Sequence, residues 1–222
     1  MQVAQRTERD PILDWPLADA YMRFALLALE EVAGEHGVQV ILRQAGLAHL
    51  IGNYPPNRME FHGLTYADYA NLHRATIEFY GRAARAFGLR IGRLAARRSI
   101  EEQSALFGVA VKALRLMPLS MQLKTILTNM ANGLTQLLRQ GGYTTTIEIA
   151  EQDDAFILTW PHCPNCAGLV ADRPICWIIE GGILEATHFA TGGKEFAVHQ
   201  IACRATGDPA CSWQVSKTPT GG

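Results

Sequence analysis

The stretch Cys203-Arg-Ala-Thr-Gly-Asp-Pro-Ala-Cys211 is the most informative part of this sequence. A Gly-Asp-Pro turn lies midway between the two cysteines. The residues on both sides suit strands, because apolar and β-branched residues precede the turn and Trp213 follows it. Pairing about Gly207 would place the two cysteines opposite each other. The stretch therefore predicts a β-hairpin that brings two thiols together.

The other cysteines lie close by in the sequence. All five cysteines of the 222-residue chain fall between Cys163 and Cys211. Thiols so placed could form a disulfide, bind a metal or pack as small apolar side chains. The polar, mixed-charge N-terminus has no apolar segment typical of a secretion signal, so we expect a cytoplasmic protein. Reduced thiols in that compartment favour metal binding or burial over a structural disulfide.

Composition narrows the function classes. The chain is 48% hydrophobic and 18% charged, which is typical of a globular protein. Its net charge of -1 provides no general attraction for nucleic acid or for an anionic membrane. Apolar runs are interrupted before they reach the roughly 20 residues of a spanning helix. We therefore expect neither nucleic acid nor a membrane as a partner.

The first 142 residues predict a helical portion after a short arm. Residues 1–16 are expected to be a loose arm, and residues 17–142 to be helical. Glycines mark the predicted ends: Gly34 and Gly37 end the first helix, and Gly88 ends the helix that Thr65 caps together with Asp68. The predicted helices cover residues 17–34, 38–45, 65–87 and 89–117, the last with a break at the capping-box motif of residues 99–102, and a long helix runs from residue 118 to 141.

The remainder predicts a sheet with one helix inserted into it. Strands are expected at residues 144–149, 155–160, 195–204 and 210–216, with a helix over residues 173–190 and a loop over 161–168. Pro174 would occupy the first turn of that helix. The prediction is an α+β fold in which an N-terminal helical layer packs on a C-terminal antiparallel sheet. Residues 143–217 would hold the cysteine cluster, and residues 17–217 would form one folded unit.

Several residues of this C-terminal part carry a family resemblance. Pro174-Ile-Cys176 is followed by Trp177, two apolar residues and Glu180-Gly-Gly182. A strand then leads to Cys203 and to the Gly-Asp-Pro-Ala-Cys211 hairpin. This order resembles the vinyl-reductase-type domain, a family that includes bacteriochlorophyll 4-vinyl reductase, sensor modules for aromatic hydrocarbons and hydrocarbon-binding proteins. The family's fold is similar to the heme nitric-oxide-sensing domains and to the small subunits of the TRAPP complexes.

The resemblance implies a zinc site and a ligand pocket. The family's aromatic sensors hold zinc with three cysteines and a glutamate, which match Cys176, Cys203, Cys211 and Gln200. An amide is a poor zinc ligand, so Gln200 departs from the pattern. The resemblance also implies a pocket for a hydrophobic small molecule between helices and sheet, in a homodimer.

Other cysteines are available to complete a metal site. Cys163-Pro-Asn-Cys166 has a two-residue spacer that suits chelation, whereas His199 lies about 13 Å along the strand from Cys203. We expect a structural zinc ion held by four thiolates, since four protein ligands leave no position for a substrate. Cys163, Cys166, Cys176, Cys203 and Cys211 are the candidates, and burial without metal is the alternative.

Aromatic residues suggest where a ligand would bind. The helix around residue 70 carries aromatic and histidine side chains that could line a pocket for a planar molecule, although such a stripe is also typical of ordinary core. The candidate ligand-binding residues are Phe61, Tyr66, Tyr69, His73, Tyr80 and Trp177. No catalytic residue is predicted.

A run of arginines occurs between residues 82 and 98. It is consistent with a solvated helix face, with a dimer contact or with a site for an anionic group, and the solvated face is the expected role. The run is not interleaved with aromatic residues as in a nucleic-acid surface.

The sequence favours a binding protein over an enzyme. A vinyl reduction needs a hydride source, and no dinucleotide-binding glycine motif is present. We expect a sensor or carrier for a hydrophobic or aromatic small molecule that signals through a separate output protein. The alternatives are an enzyme or accessory protein of chlorophyll-type tetrapyrrole reduction and a dimeric scaffold.

Overall fold

The protein is described by a computed structural model, which covers residues 3–102 and 114–220. The first helix, α1, spans Asp19–Gln44 and breaks at Gly34, whose φ of 73° leaves the helical region. A positive φ costs glycine little because it has no Cβ. The predicted break at Gly34 is confirmed, whereas Gly37 lies inside the second half of the helix.

The second helix, α2, spans Tyr66–Tyr80 and begins as predicted. The Thr65 hydroxyl accepts a hydrogen bond from the backbone N–H of Asp68, and the Asp68 carboxylate accepts one from the backbone N–H of Thr65. This capping box satisfies backbone donors that the helix leaves unpaired at its start.

The end of α2 differs from the prediction. The helix stops before Gly81, and a short turn leads into α3, which spans Ala84–Glu102. Gly88 therefore lies inside α3, where a Cβ would approach Trp177 to 3.1 Å. It permits close packing and does not end a helix. The capping-box motif predicted at residues 99–102 also lies within continuous α3.

The last helix before the sheet, α4, spans Leu119–Gln140. It begins after Pro118 and ends at Gly141, in agreement with the prediction. The helical region predicted over residues 89–117 is described only up to residue 102 and from residue 114, so part of it lies outside the described residues.

The C-terminal sheet confirms the α+β class. Its strands are β2 (Glu148–Glu151), β3 (Ala155–Trp160), β5 (Phe196–Ala202) and β6 (Cys211–Pro219), and α5 (Trp177–Ala190) is inserted between β3 and β5. The strand order is β2-β3-β6-β5, with every neighbouring pair antiparallel. The first strand of this sheet and α5 both begin four residues later than predicted, so Pro174 precedes the helix.

The N-terminal arm is attached to the body, contrary to the prediction of a loose arm. Strand β1 (Val3–Gln5) pairs with β4 (Leu169–Ala171) in a separate two-stranded sheet. The buried Asp10 carboxylate accepts hydrogen bonds from the Gly168 backbone N–H and from the Arg204 guanidinium. These contacts join the arm to the two loops that carry most of the cysteines. Sequence periodicity did not indicate them because they join residues more than 150 positions apart.

Helices α3 and α5 cross at very short range. A Cβ on Gly92 would lie 2.0 Å from the Ile178 carbonyl oxygen, and one on Gly181 would lie 2.2 Å from the Leu89 carbonyl oxygen. Glycine is therefore required at both positions of the crossing. The contact holds α5 against the helical layer, and the apolar core lies between this layer and the sheet.

Ion pairs secure the same crossing. Arg93 and Arg97 of α3 both reach the buried Glu185 of α5, with the shorter contact at 2.7 Å from Arg97. Part of the arginine run expected to be a solvated face thus pairs within the chain, since Glu185 is buried and needs a charged partner. Within the described residues, no helix combines the length and apolarity needed to cross a bilayer.

Candidate metal centre and ligand cavity

Four buried cysteines form a compact cluster. Cys163 and Cys166 flank a short turn, Cys176 precedes α5, and Cys211 begins β6. Their sulfur atoms all lie within 4.8 Å of one another. A tetrahedral zinc site with bonds of about 2.3 Å has sulfur atoms roughly 3.8 Å apart. The four sulfurs could hold a metal ion.

Individual distances agree with that geometry. The Sγ atoms of Cys163 and Cys176 are 3.7 Å apart, those of Cys166 and Cys211 are 3.4 Å apart, and those of Cys176 and Cys211 are 3.9 Å apart. All of these side chains are at most 1% exposed. Every thiol in the chain is free of disulfide bonds. The predicted closeness of Cys163 and Cys166 to the hairpin is therefore present in the structure.

Cys203 is a fifth thiol at the edge of the cluster. Its Sγ lies 3.8 Å from that of Cys176, and its side chain is fully buried. Its backbone N–H donates to the Asp208 carboxylate at 2.8 Å. The backbone N–H of Arg204 donates to the Cys211 sulfur at 3.4 Å. Backbone donors to sulfur stabilise negative charge there, as a metal thiolate requires.

Gln200 occupies the position of the family's glutamate but contacts backbone groups. Its Oε1 accepts a hydrogen bond from the Cys176 N–H at 2.9 Å, and its Nε2 donates to the Ala202 carbonyl at 3.1 Å. The side chain therefore braces Cys176. His199, which the sequence argued against as a ligand, is exposed on β5.

The thiols differ in their acid strength. Burial raises the pKa of Cys163, because a thiolate is poorly solvated in the core. The neighbouring Cys163 thiol lowers the pKa of Cys166 to about 6 by hydrogen bonding to it. The cluster can thus hold negative charge at Cys166, the form in which cysteine binds metals.

An apolar cavity lies between the helices and the sheet. Its volume is about 140 Å³, and it is bounded by α1 to α5 and by β3. Most lining residues are aliphatic or small, including Met130, Leu134, Ile183 and Ala186. Small residues on facing helices, among them Gly92 and Gly182, leave the space open.

Tyr21 and Tyr69 contribute polar atoms to this cavity. Their rings meet edge to face with centroids 5.0 Å apart, and their hydroxyl groups share a hydrogen bond. Burial raises the pKa of both hydroxyls, so both are neutral. Trp160 connects the cavity to the cluster, since it lines the cavity and pairs with Cys211 across β3 and β6.

The residues predicted from sequence to bind a ligand lie in different places. Tyr69 lines the main cavity, whereas Phe61 and Tyr66 line a smaller neighbouring pocket. Tyr80 stacks on Phe87 with ring centroids 3.9 Å apart. Trp177 lines a groove on the opposite side of α5 from the cavity residues Gly182 and Ala186.

His73, another predicted ligand-binding residue, is buried beside the cysteine loop. Its Nδ1 donates to the Asn165 carbonyl at 2.7 Å, and burial lowers the pKa of the imidazole to about 4. The neutral ring thus positions the loop between Cys163 and Cys166.

Sequence reasoning missed two cavity residues, Tyr21 and Trp160. Helical spacing marks Tyr21 only as part of an apolar face, and Trp160 only ends an apolar strand. Neither signal distinguishes a side chain that lines a cavity from one that fills the core.

Comparison with known proteins places the cysteine hairpin in a family. The family model of the 4-vinyl reductase domain matches residues 156–217. The predicted family is confirmed over this segment. The match covers nearly all of β3 and β6 together with α5 and β5. The 4-vinyl reductase segment thus carries Cys176, Cys203 and Cys211. No curated protein matches the chain.

The whole chain is similar in fold to H-NOX domains. An oxygen-binding H-NOX domain related to soluble guanylate cyclases is 15% identical, with a TM-score of 0.55 over 91% of this chain and 96% of that one. A mutant H-NOX domain from T. tengcongensis is also 15% identical, with a TM-score of 0.54 over 92% of this chain and 100% of that one. At this identity the likeness shows the fold alone. The helices that precede the 4-vinyl reductase segment are part of the shared fold.

Proposed function

We propose that the protein binds a small hydrophobic molecule, of the size of one aromatic ring, as a sensor or carrier. The apolar cavity of about 140 Å³ is the observation that supports this proposal. An engineered apolar cavity of about 150 Å³ stays dry and binds benzene. A cavity of this size and lining favours an apolar molecule over water.

Haem, which has been studied in the H-NOX family, does not fit this cavity. The volume of about 140 Å³ is below the range of about 300–1,000 Å³ that holds drug-sized ligands. Within the described residues, no histidine lines the cavity, and the two lining tyrosine hydroxyls bond to each other. The side chains that commonly bind haem iron are therefore absent or engaged.

The cysteine cluster supports a second part of the proposal, a structural zinc ion. Cys163, Cys166, Cys176 and Cys211 would supply four thiolates, which zinc accepts in tetrahedral geometry. Such an ion would tie together the loop before β4, the start of α5 and the start of β6. Four protein ligands complete the coordination, so its role would be stability and not catalysis.

Toluene is a suitable probe for the cavity. We expect toluene to raise the melting temperature of the full chain and to give a measurable dissociation constant by calorimetry. Ala96 lines the cavity from α3, and the substitution Ala96→Leu would fill it. We expect this variant to bind toluene at least about tenfold more weakly, since displaced contacts are lost.

A matched control lies on the same helix. Ala86→Leu adds the same atoms at an exposed position of α3 that does not line the cavity. It should bind toluene as the unmodified chain does. Equal binding by Ala96→Leu, or no binding by the unmodified chain, would contradict the proposed function.

A further inference from the structure

A second groove lies at the surface near the start of α5. Its volume is about 490 Å³, which falls within the range of small-molecule sites. Arginines approach it from two segments: Arg82 and Arg85 from the α2–α3 junction, and Arg173 from the segment before α5. Trp177, Glu180 and His199 also line it. The groove does not share residues with the apolar cavity.

The charges in this groove are unbalanced. Glu180 is its one carboxylate, and it is 3% exposed and bound to Arg85 at 2.8 Å. Arg173 meets Asp172 at 3.5 Å, but both of these side chains are more than half exposed, so the pair is weak. Within the described residues, no carboxylate lies within 4 Å of the Arg82 guanidinium.

Two guanidinium groups are therefore available to a ligand. The chain as a whole has a net charge of -1, so this local positive charge does not follow from a basic composition. Guanidinium groups match the geometry of carboxylate and phosphate oxygens and bind them in pairs. Trp177 adds an aromatic surface beside the arginines.

We propose that this groove binds a small molecule that carries a carboxylate or phosphate group, with Arg82 and Arg173 contacting the oxyanion. The groove also reaches the cysteine cluster, because Gln200 lines it and braces the backbone of Cys176. This site is independent of the apolar cavity and of its ligand.

Calorimetric titration of the full chain with inorganic phosphate and, separately, with benzoate tests the proposal. At low ionic strength we expect at least one of them to bind, and the response identifies which oxyanion source the groove prefers. Arg82→Gln and Arg173→Gln each remove one charged contact, and each should weaken binding about tenfold. Both arginines are exposed, so the substitutions leave the core intact.

The control is Arg139→Gln, an exposed arginine at the end of α4 outside the groove. It should bind phosphate or benzoate as tightly as the unmodified chain. Binding of neither anion at about 10 mM would overturn the proposal, because that affinity is weaker than a specific site provides. Benzoate or phosphate binding that both groove variants retain in full would also overturn it, since the anion would then occupy another site.

Discussion

The side-chain oxygen of Gln200 accepts a 2.9 Å hydrogen bond from the backbone N–H of Cys176. This bond joins β5 to the start of α5 directly beside the cysteine cluster. A glutamate ligand at this position would face the metal, whereas this amide holds the backbone of a neighbouring thiol. The departure from the family pattern is thus accompanied by a different role for the residue.

Removal of that bond should destabilise the protein without loss of metal. Gln200→Ala leaves the Cys176 N–H without its acceptor, and an unsatisfied donor of this kind costs about 1–3 kcal/mol. We expect the free energy of unfolding, measured in urea, to fall by that amount. Zinc per chain, measured by elemental analysis, should not change.

Gln39→Ala is the matched control, since Gln39 bonds a neighbouring residue on the surface of α1. It should change the free energy of unfolding by less than about 0.5 kcal/mol. Loss of zinc in Gln200→Ala would show instead that Gln200 acts as a ligand.

The proposed zinc site predicts a difference between two hairpin cysteines. Cys211→Ser removes one of the four clustered thiolates, so zinc retained after dialysis against a chelator should fall from about one ion per chain to below about 0.2. Cys163→Ser should behave in the same way. Cys203→Ser, the control at the edge of the cluster, should keep about one ion per chain.

Equal loss of zinc in Cys203→Ser and Cys211→Ser would mean that the ligand set includes Cys203. If the unmodified protein, purified without added metal, contains less than about 0.2 zinc per chain, the structural-zinc proposal fails.

The crossing of α3 and α5 predicts opposite effects for two glycines of similar position. Gly92→Ala places a Cβ 2.0 Å from the Ile178 carbonyl oxygen and should lower the free energy of unfolding by about 3 kcal/mol, at the upper end of overpacking costs. Gly182→Ala meets its first neighbour at 3.9 Å and should raise it by about 0.5–1 kcal/mol, since alanine favours helix. Urea denaturation of both variants measures the difference. A stable Gly92→Ala protein would contradict the close approach of the two helices.

His73 predicts a loss of stability in acid. The pKa of its imidazole is about 4 in the folded protein, below the usual value of 6.5. The unfolded chain therefore binds the proton more readily as the pH falls below about 6.5, and stability falls until the folded group also titrates near pH 4. At pH 5 the loss should be about 2 kcal/mol.

His73→Gln has no imidazole to titrate and provides the reference. The difference in free energy of unfolding between the unmodified protein and this variant should shrink by about 2 kcal/mol from pH 7 to pH 5. Taking the difference removes the contribution of the cysteines, which are common to both proteins. A difference that stays constant over this range would show that His73 is not buried as a neutral ring.

The sequence indicated local structure where the signal is itself local. The capping box of Thr65 and Asp68 is an interaction between residues three positions apart, so it could be read directly. Pro118 and Gly141 likewise marked α4, because proline and glycine act on the backbone where they occur. Gly88 gave a false end to a helix, since a glycine that ends a helix and one that admits a neighbouring helix look identical in sequence.

The sequence by itself determined the α+β order of elements, the hairpin and the concentration of thiols near it. Which four sulfurs come within 4.8 Å was decided by the tertiary structure, because loop 163–166, the start of α5 and β6 are brought together only by long-range packing. The cavity was decided in the same way, since its walls come from five helices and a strand. Periodicity reports which face of an element is apolar, but a cavity depends on how several such faces fail to fill the space between them.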